Sequence, residues 1–208
     1  MPRESIWEDS CPQCRREAFW NIAGSVRAGL YRQPLKPLIL ALKYGGKERN
    51  ADVFGALLAD SIRSAAWSRD IELLVPVPMN RWRRFARPCD HARLIADATA
   101  QRLRIPVRAA VRRVRNTPSQ ARATSRQARF DNVRGCFAPS RRPGVEGKTV
   151  CIIDNLLVSG ATICEVSKAL RRAGAKHIYA AVVARSVTPG EIDAEIANSE
   201  WRMAKSQS

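Results

Sequence analysis

The sequence predicts an α/β fold built on a parallel sheet, and three observations carry that expectation. Residues 149–153 (TVCII) form an apolar run of strand length. A small-residue turn follows, then a stretch with Ile163, Val166 and Leu170 at helical spacing, and then a second apolar run over 178–184. Strand, loop, helix and strand at this spacing make a βαβ unit, whose two strands lie parallel. Finally, residues 71–77 (IELLVPV) read as a strand buried on both faces, as parallel sheets require.

The other elements follow from periodicity and punctuation. The first thirty residues show no sustained period, contain Gly24 and Gly29, and read as an irregular arm carrying Cys11 and Cys14. Leu35, Leu38, Ile39 and Leu42 repeat as one helical face, which Gly45-Gly46 stops. Phe54, Leu57, Leu58 and Ile62 mark a second helix. Pro76 and Pro78 end the first strand, and a basic loop begins there. A helix is expected over 91–103, through Leu94, Ile95 and Ala98, with a short strand over 107–114 after Pro106. Residues 115–134 hold few apolar side chains and the turn signal Asn116-Thr117-Pro118-Ser119, so a long exposed loop or hairpin is expected. The organisation is an arm over 1–30, a main domain over 31–188 and a polar tail over 189–208.

A chain of 208 residues that is 45% apolar buries a core, which excludes wholesale disorder. No run of eighteen apolar residues exists, and residues 1–10 carry three acids without an apolar segment. Neither a membrane span nor a signal peptide is expected, and the cytoplasm is the default compartment. The balance of 36 basic to 19 acidic residues, net +17, points to a polyanionic partner. The charge is concentrated: residues 81–134 hold fifteen Arg against three Asp. Arginine outnumbers lysine 29 to 7, and its planar fork suits phosphate oxygens. The competing reading is a solvated basic face.

Of the six cysteines, Cys151 and Cys164 lie in apolar stretches and read as small core residues. Cys11-Pro12-Gln13-Cys14 is half of a zinc knuckle, and zinc wants four ligands, so these two stand as a zinc remnant. Cys89-Asp90-His91 invites a nucleophile reading, but consecutive residues entering a helix fit a capping Asp90 better. His177, just before a strand, reads as a surface residue.

The sharpest candidate site is the segment from Asp154 to Thr162. It lies where a parallel strand's carboxyl end feeds a helix N-terminus, the place where open α/β sheets bind ligands. Ser159, Gly160, Ala161 and Thr162 supply backbone amides and two hydroxyls around a helix dipole's positive end, a phosphate cradle. Asp154 is placed to accept hydrogen bonds from sugar hydroxyls. The structural alternative is an ordinary turn in which Ser159 or Thr162 caps the helix.

VCIIDNLLVSGAT resembles the phosphoribosyl-pyrophosphate (PRPP) signature of type I phosphoribosyltransferases. More narrowly, the chain resembles the ComF, or GntX-like, family of competence and DNA-uptake proteins. The stretches that carry this are LILALKYGGKERNADVFGALLAD, LLVPVPMNRWRRFARPCDHARLIADATAQRL, VRNTPSQARATSRQARFDNVRGCF and the signature itself, together spanning most of residues 31–185. The resemblance implies a type I phosphoribosyltransferase-like fold with a PRPP site, served by Mg²⁺, at the sheet's carboxyl edge. It places Asp154 against the ribose hydroxyls, as the catalytic acid, and wraps Ser159, Gly160, Ala161 and Thr162 around the 5′-phosphate. Pro76-Val77-Pro78 resembles the loop near the pyrophosphate, with Arg84 and Arg87 as contacts for that anion. Residues 117–132, with Gln120, Arg129 and Asn132 at family positions, resemble the loop that closes over the reacting centre, where Arg122 and Arg126 add charge.

The chain departs from the pattern at defined places. Asn155 stands where the family has a second acid, and Val158 where it has the first Thr of the turn. Arg87-Pro88-Cys89-Asp90-His91 replaces Arg-Gly-Phe-Asn-Gln, and one CxxC pair stands in place of two. Two functions of different classes follow. One is PRPP binding and phosphoribosyl transfer to an unidentified acceptor. The other is single-stranded DNA binding in DNA uptake with a vestigial PRPP site, favoured by the charge and by Trp82 between Arg81 and Arg83.

Overall fold

The computed structural model describes residues 22–79, 89–117 and 125–186. A four-stranded, all-parallel sheet forms the centre, in the order β1-β6-β5-β2. Its strands are β1 (Gly24–Leu30), β2 (Leu73–Pro76), β5 (Thr149–Leu157) and β6 (His177–Arg185). An antiparallel ribbon, β3 (Val111–Arg113) with β4 (Phe137–Pro139), stands apart from it. The helices are α1 (Leu35–Tyr44), α2 (Asn50–Arg63), α3 (His91–Leu103), α4 (Arg126–Val133) and α5 (Ala161–Arg172), with a 3₁₀ turn at Ser68–Asp70.

Strand alternation divides the core into two layers. Val150 and Ile152 of β5, with Ile178, Ala180 and Val182 of β6, pack with Val166, Ala169 and Leu170 of α5 and with Phe137 of the ribbon. Cys151 and Ile153, with Tyr179, Ala181 and Val183, pack with Ile39 and Leu42 of α1, Phe54 and Leu58 of α2 and Ile95 of α3. Strands covered on both faces read as continuous apolar runs, which is why β5 and β6 were visible in the sequence.

Three expectations are corrected. The stretch before residue 31 is not irregular throughout: Gly24–Leu30 is an edge strand paired in parallel with β6. Its glycines permit close approach, since a Cβ on Gly29 would stand 2.7 Å from Leu35 Cδ1 and one on Gly24 would stand 3.0 Å from Trp67 Nε1. The segment 115–134 is not loop throughout either. Ser125 caps α4 by accepting the Ala128 N–H at 3.0 Å, and Phe130 and Val133 turn toward the core. Finally, β5 does not end at Ile153 but continues through Asp154 to Leu157, in register with β6 as far as Arg185. Asp154 therefore sits on a strand, not in a loop. The short strand expected over 107–114 narrows to β3 and one parallel bridge between Val107 and Leu74.

The smaller expectations hold. Cys151 and Cys164 are buried, and His177 is exposed. Asp90 caps α3 by accepting the Arg93 N–H at 3.2 Å. Among the described residues, no helix is long and apolar enough to cross a membrane.

Candidate active site

The chain leaves β2 toward α3 on one face of the sheet and leaves β5 through α5 on the other. A crevice opens between such carboxyl ends, and it is the ligand-binding place of open α/β sheets. At the carboxyl end of β5 lies a solvent-open depression of about 340 Å³, open solvent included, lined by Asp154, residues 156–163 and Arg129.

The floor is the turn from β5 into α5. Gly160 is its pivot: it occupies the left-handed region (φ 77°) that L side chains disfavour, and it makes no side-chain cap. The Ser159 hydroxyl accepts the Ala161 N–H at a long 3.4 Å. The first turn of α5 carries no acid, so its amides and dipole present an uncancelled positive end. Thr162 adds a half-buried hydroxyl at the lining. Val158 is exposed at the rim and contributes an apolar surface where a hydroxyl was expected.

Asp154 forms the wall. Its carboxylate accepts the backbone N–H of Asn155 at 2.7 Å, which orients it. Burial pushes this carboxyl up to about 6; the Asn155 N–H and the Lys43 charge oppose the rise, and Asp90 adds to it. A carboxyl titrating near neutrality in a cleft is a recurrent mark of functional sites. Asn155 behaves differently. It is buried, its Nδ2 finds no hydrogen-bond partner, and it is not among the residues lining the depression. Arg129 of α4 also lines the depression, so one sequence-predicted loop residue joins the site.

The remaining predicted residues are not all brought together. Asn132 lies half-buried on α4 outside the lining, with its carbonyl 3.5 Å from Cys136 Sγ. Val77, in the expected pyrophosphate loop, is buried and donates its N–H to the Ile153 carbonyl at 3.0 Å, holding that loop against β5. Arg84, Arg87, Gln120, Arg122, Trp82, Cys11 and Cys14 lie outside the described residues, as does the side chain of Arg126. Sequence reasoning missed the apolar lining by Leu156, Leu157 and Ile163, and the influence of Lys43 and Asp90 on Asp154. No local pattern joins residues 43, 90 and 154; the packing of α1 and α3 on the sheet does.

Among the described residues, no group of three His, Cys, Asp or Glu side chains stands ready to hold a metal. Mg²⁺ asks for less, since it binds through one or two carboxylates together with substrate phosphates. Asp154 provides one carboxylate and the unionisable Asn155 none, so the donor set fits an ion carried on a phosphorylated ligand.

Residues 88–203 match the phosphoribosyl transferase domain family. The chain belongs to that family. Its curated relatives give it a ComF-like character, in agreement with the resemblance carried by its motifs. Competence protein F of Haemophilus influenzae is 28% identical over 182 residues, 85% of this chain and 78% of the relative. DNA utilization protein YhgH of Escherichia coli K12 is 26% identical over 161 residues, 76% of this chain and 70% of the relative. Among solved structures, glutamine PRPP amidotransferase from B. subtilis, complexed with ADP and GMP, is 25% identical with a TM-score of 0.41. That match covers 64% of this chain and 25% of the amidotransferase. This ComF-like phosphoribosyl transferase domain thus sets its signature on β5 and the start of α5, the two elements that build the depression.

Proposed function

We propose that this domain binds PRPP, with Mg²⁺ on the pyrophosphate, and transfers the phosphoribosyl group to an acceptor. One observation carries the reading: Asp154 and the turn Ser159–Gly160–Ala161–Thr162, which has no acid or Gly160 side chain to close it, share one depression with Arg129. The turn takes the 5′-phosphate on its amides and on the Thr162 hydroxyl. Asp154, once ionised, accepts hydrogen bonds from the ribose hydroxyls. Arg129 neutralises the pyrophosphate, which leaves as the C1′–O bond breaks and the acceptor's lone pair forms the new bond to C1′. Positive charge develops on the sugar in that oxocarbenium-like state, and the nearby Asp154 carboxylate stabilises it. When bound, Mg²⁺ supplies further charge neutralisation on the leaving group. Pyrophosphate release from PRPP and Mg²⁺ in the presence of a panel of nitrogen bases tests transfer. Release that depends on both a base and Asp154 supports it; release unchanged in Asp154→Asn refutes it.

The basic surface favours a second reading, single-stranded DNA binding. Residues 98–130 and 132–145 contain no acid, and Arg104, Arg108, Arg112, Arg115, Arg134, Arg141 and Arg142 are exposed on and around the β3–β4 ribbon. The relatives' names, competence and DNA utilization, point the same way. Affinity for an oligonucleotide is then expected to fall steeply with salt, the slope counting the phosphates neutralised. Thr162→Ala is expected to weaken PRPP and leave DNA affinity unchanged; equal loss of both in folded protein would refute separate sites.

A further inference from the structure

Glu165 lies one turn into α5, behind the phosphate turn, and its side chain is 8% exposed. One carboxylate oxygen accepts the backbone N–H of Gly135 at 2.8 Å, and the other accepts Lys168 Nζ at 2.6 Å. Gly135 is the joint between α4 and β4, in the left-handed region at φ 65° with open space around it. Arg129, six residues earlier on α4, lines the same depression as Gly160 and Thr162. Two walls of one site, far apart in sequence, are thus joined by a partly buried charge-assisted hydrogen bond, beside the packing of Phe130 and Val133 against the α5 core. Lys168 neutralises the carboxylate, so the bond does not place an unpaired negative charge behind an anion cradle.

We infer that Glu165 is a positioning residue: by fastening Gly135 to α5 it sets the distance between Arg129 and the phosphate turn, and thereby the site's affinity for the pyrophosphate end of its ligand. The inference rests on the PRPP reading above. Because α5 carries the phosphate turn and α4 carries Arg129, loosening the bond lets α4 shift while the turn stays in place. The two ends of PRPP then respond differently. Ribose 5-phosphate needs the turn and Asp154; PRPP needs Arg129 as well.

The test is calorimetric titration of PRPP with Mg²⁺, and separately of ribose 5-phosphate, into wild type, Glu165→Ala and Glu165→Gln. Losing one partly buried charge-assisted bond corresponds to a change of about tenfold. Glu165→Ala is expected to weaken PRPP by about that factor and ribose 5-phosphate by less than twofold. Glu165→Gln keeps an oxygen for the Gly135 N–H and is expected to restore PRPP affinity to within about threefold. If Glu165→Ala does not fold, Gly135→Ala disturbs the same joint from the other side and is expected to weaken PRPP alone. Equal loss of both ligands, or no loss of PRPP in a folded variant, overturns the inference. Wild type that binds neither ligand overturns the PRPP reading, and this inference falls with it; wild type that binds both equally overturns this inference, because the pyrophosphate end then gains nothing from Arg129, and leaves the phosphate turn's role standing.

Discussion

Helices α3 and α5 each follow a strand of the same parallel sheet, yet they satisfy their first turns in opposite ways. In α3 the side chain of Asp90 accepts the Arg93 N–H, and its negative charge sits against the helix dipole. One amide of that start is thus satisfied by the chain's own side chain. In α5 the residue at the same position is Gly160, which has no side chain to offer, and no acid follows in the first turn. A helix leaves four N–H groups without intrahelical partners; in α5 the Ser159 hydroxyl accepts that of Ala161 weakly, and residues 160–163 line a depression. The comparison separates a helix start closed by its own side chain from one proposed to receive an anion.

The harshest way to break this contrast is to make α5 resemble α3. Gly160→Asp puts a carboxylate where the 5′-phosphate is proposed to sit and strains a backbone position at φ 77°. PRPP affinity in titration is expected to fall by about a hundredfold or more.

Protonating Asp154 has a smaller effect and sharpens the contrast from the sugar side. Its folded value of about 6 lies above the usual 3.8, so the carboxyl is mostly neutral below pH 6. PRPP affinity is expected to rise by about tenfold between pH 5 and 7 as the carboxylate forms. The 5′-phosphate itself titrates near pH 6, so Asp154→Asn is the control: the part of the slope due to the protein disappears. Stability runs the other way. Between about pH 4 and 6 the folded protein holds a proton that the unfolded chain has released, so stability falls as pH rises through that window. Asp154→Asn is therefore expected to raise the melting temperature of the unliganded protein above pH 6, by the equivalent of up to about 3 kcal/mol. A site residue whose removal stabilises the fold while weakening binding is a common signature of function.

The smallest expected effect on binding comes from the capped helix. Asp90→Ala removes the α3 cap and is expected to cost about 1 kcal/mol in denaturant unfolding. PRPP affinity near pH 7 is expected to change less than twofold. A large loss of affinity there would show that α3 belongs to the anion site after all.

The β5–α5 unit was legible because two periodic signals meet there: an apolar run buried on both faces, and a small-residue turn before an amphipathic stretch. What was not legible depends on partners distant in sequence. The Asp154-Asn155 pair interrupts the apolar run and reads as a loop, but pairing with β6 holds these residues in a strand. Gly24 and Gly29 look like breakers, whereas the approach of Trp67 and Leu35 is what they accommodate. Helix α4 has eight residues and offers Phe130 and Val133 as its apolar markers, too few for a period to emerge among arginines. Glu165 gives no local signal at all, since its partner is a backbone amide thirty residues away.

The central claim is that the open start of α5 and the raised carboxyl of Asp154 together receive PRPP. Titration of PRPP with Mg²⁺ into the wild-type protein, at moderate salt near pH 7, with Thr162→Ala beside it, tests this most directly. The account predicts saturable one-site binding that weakens by about tenfold in the variant. An absence of binding heat from folded wild-type protein across several temperatures, or equal affinity in the variant, would contradict it.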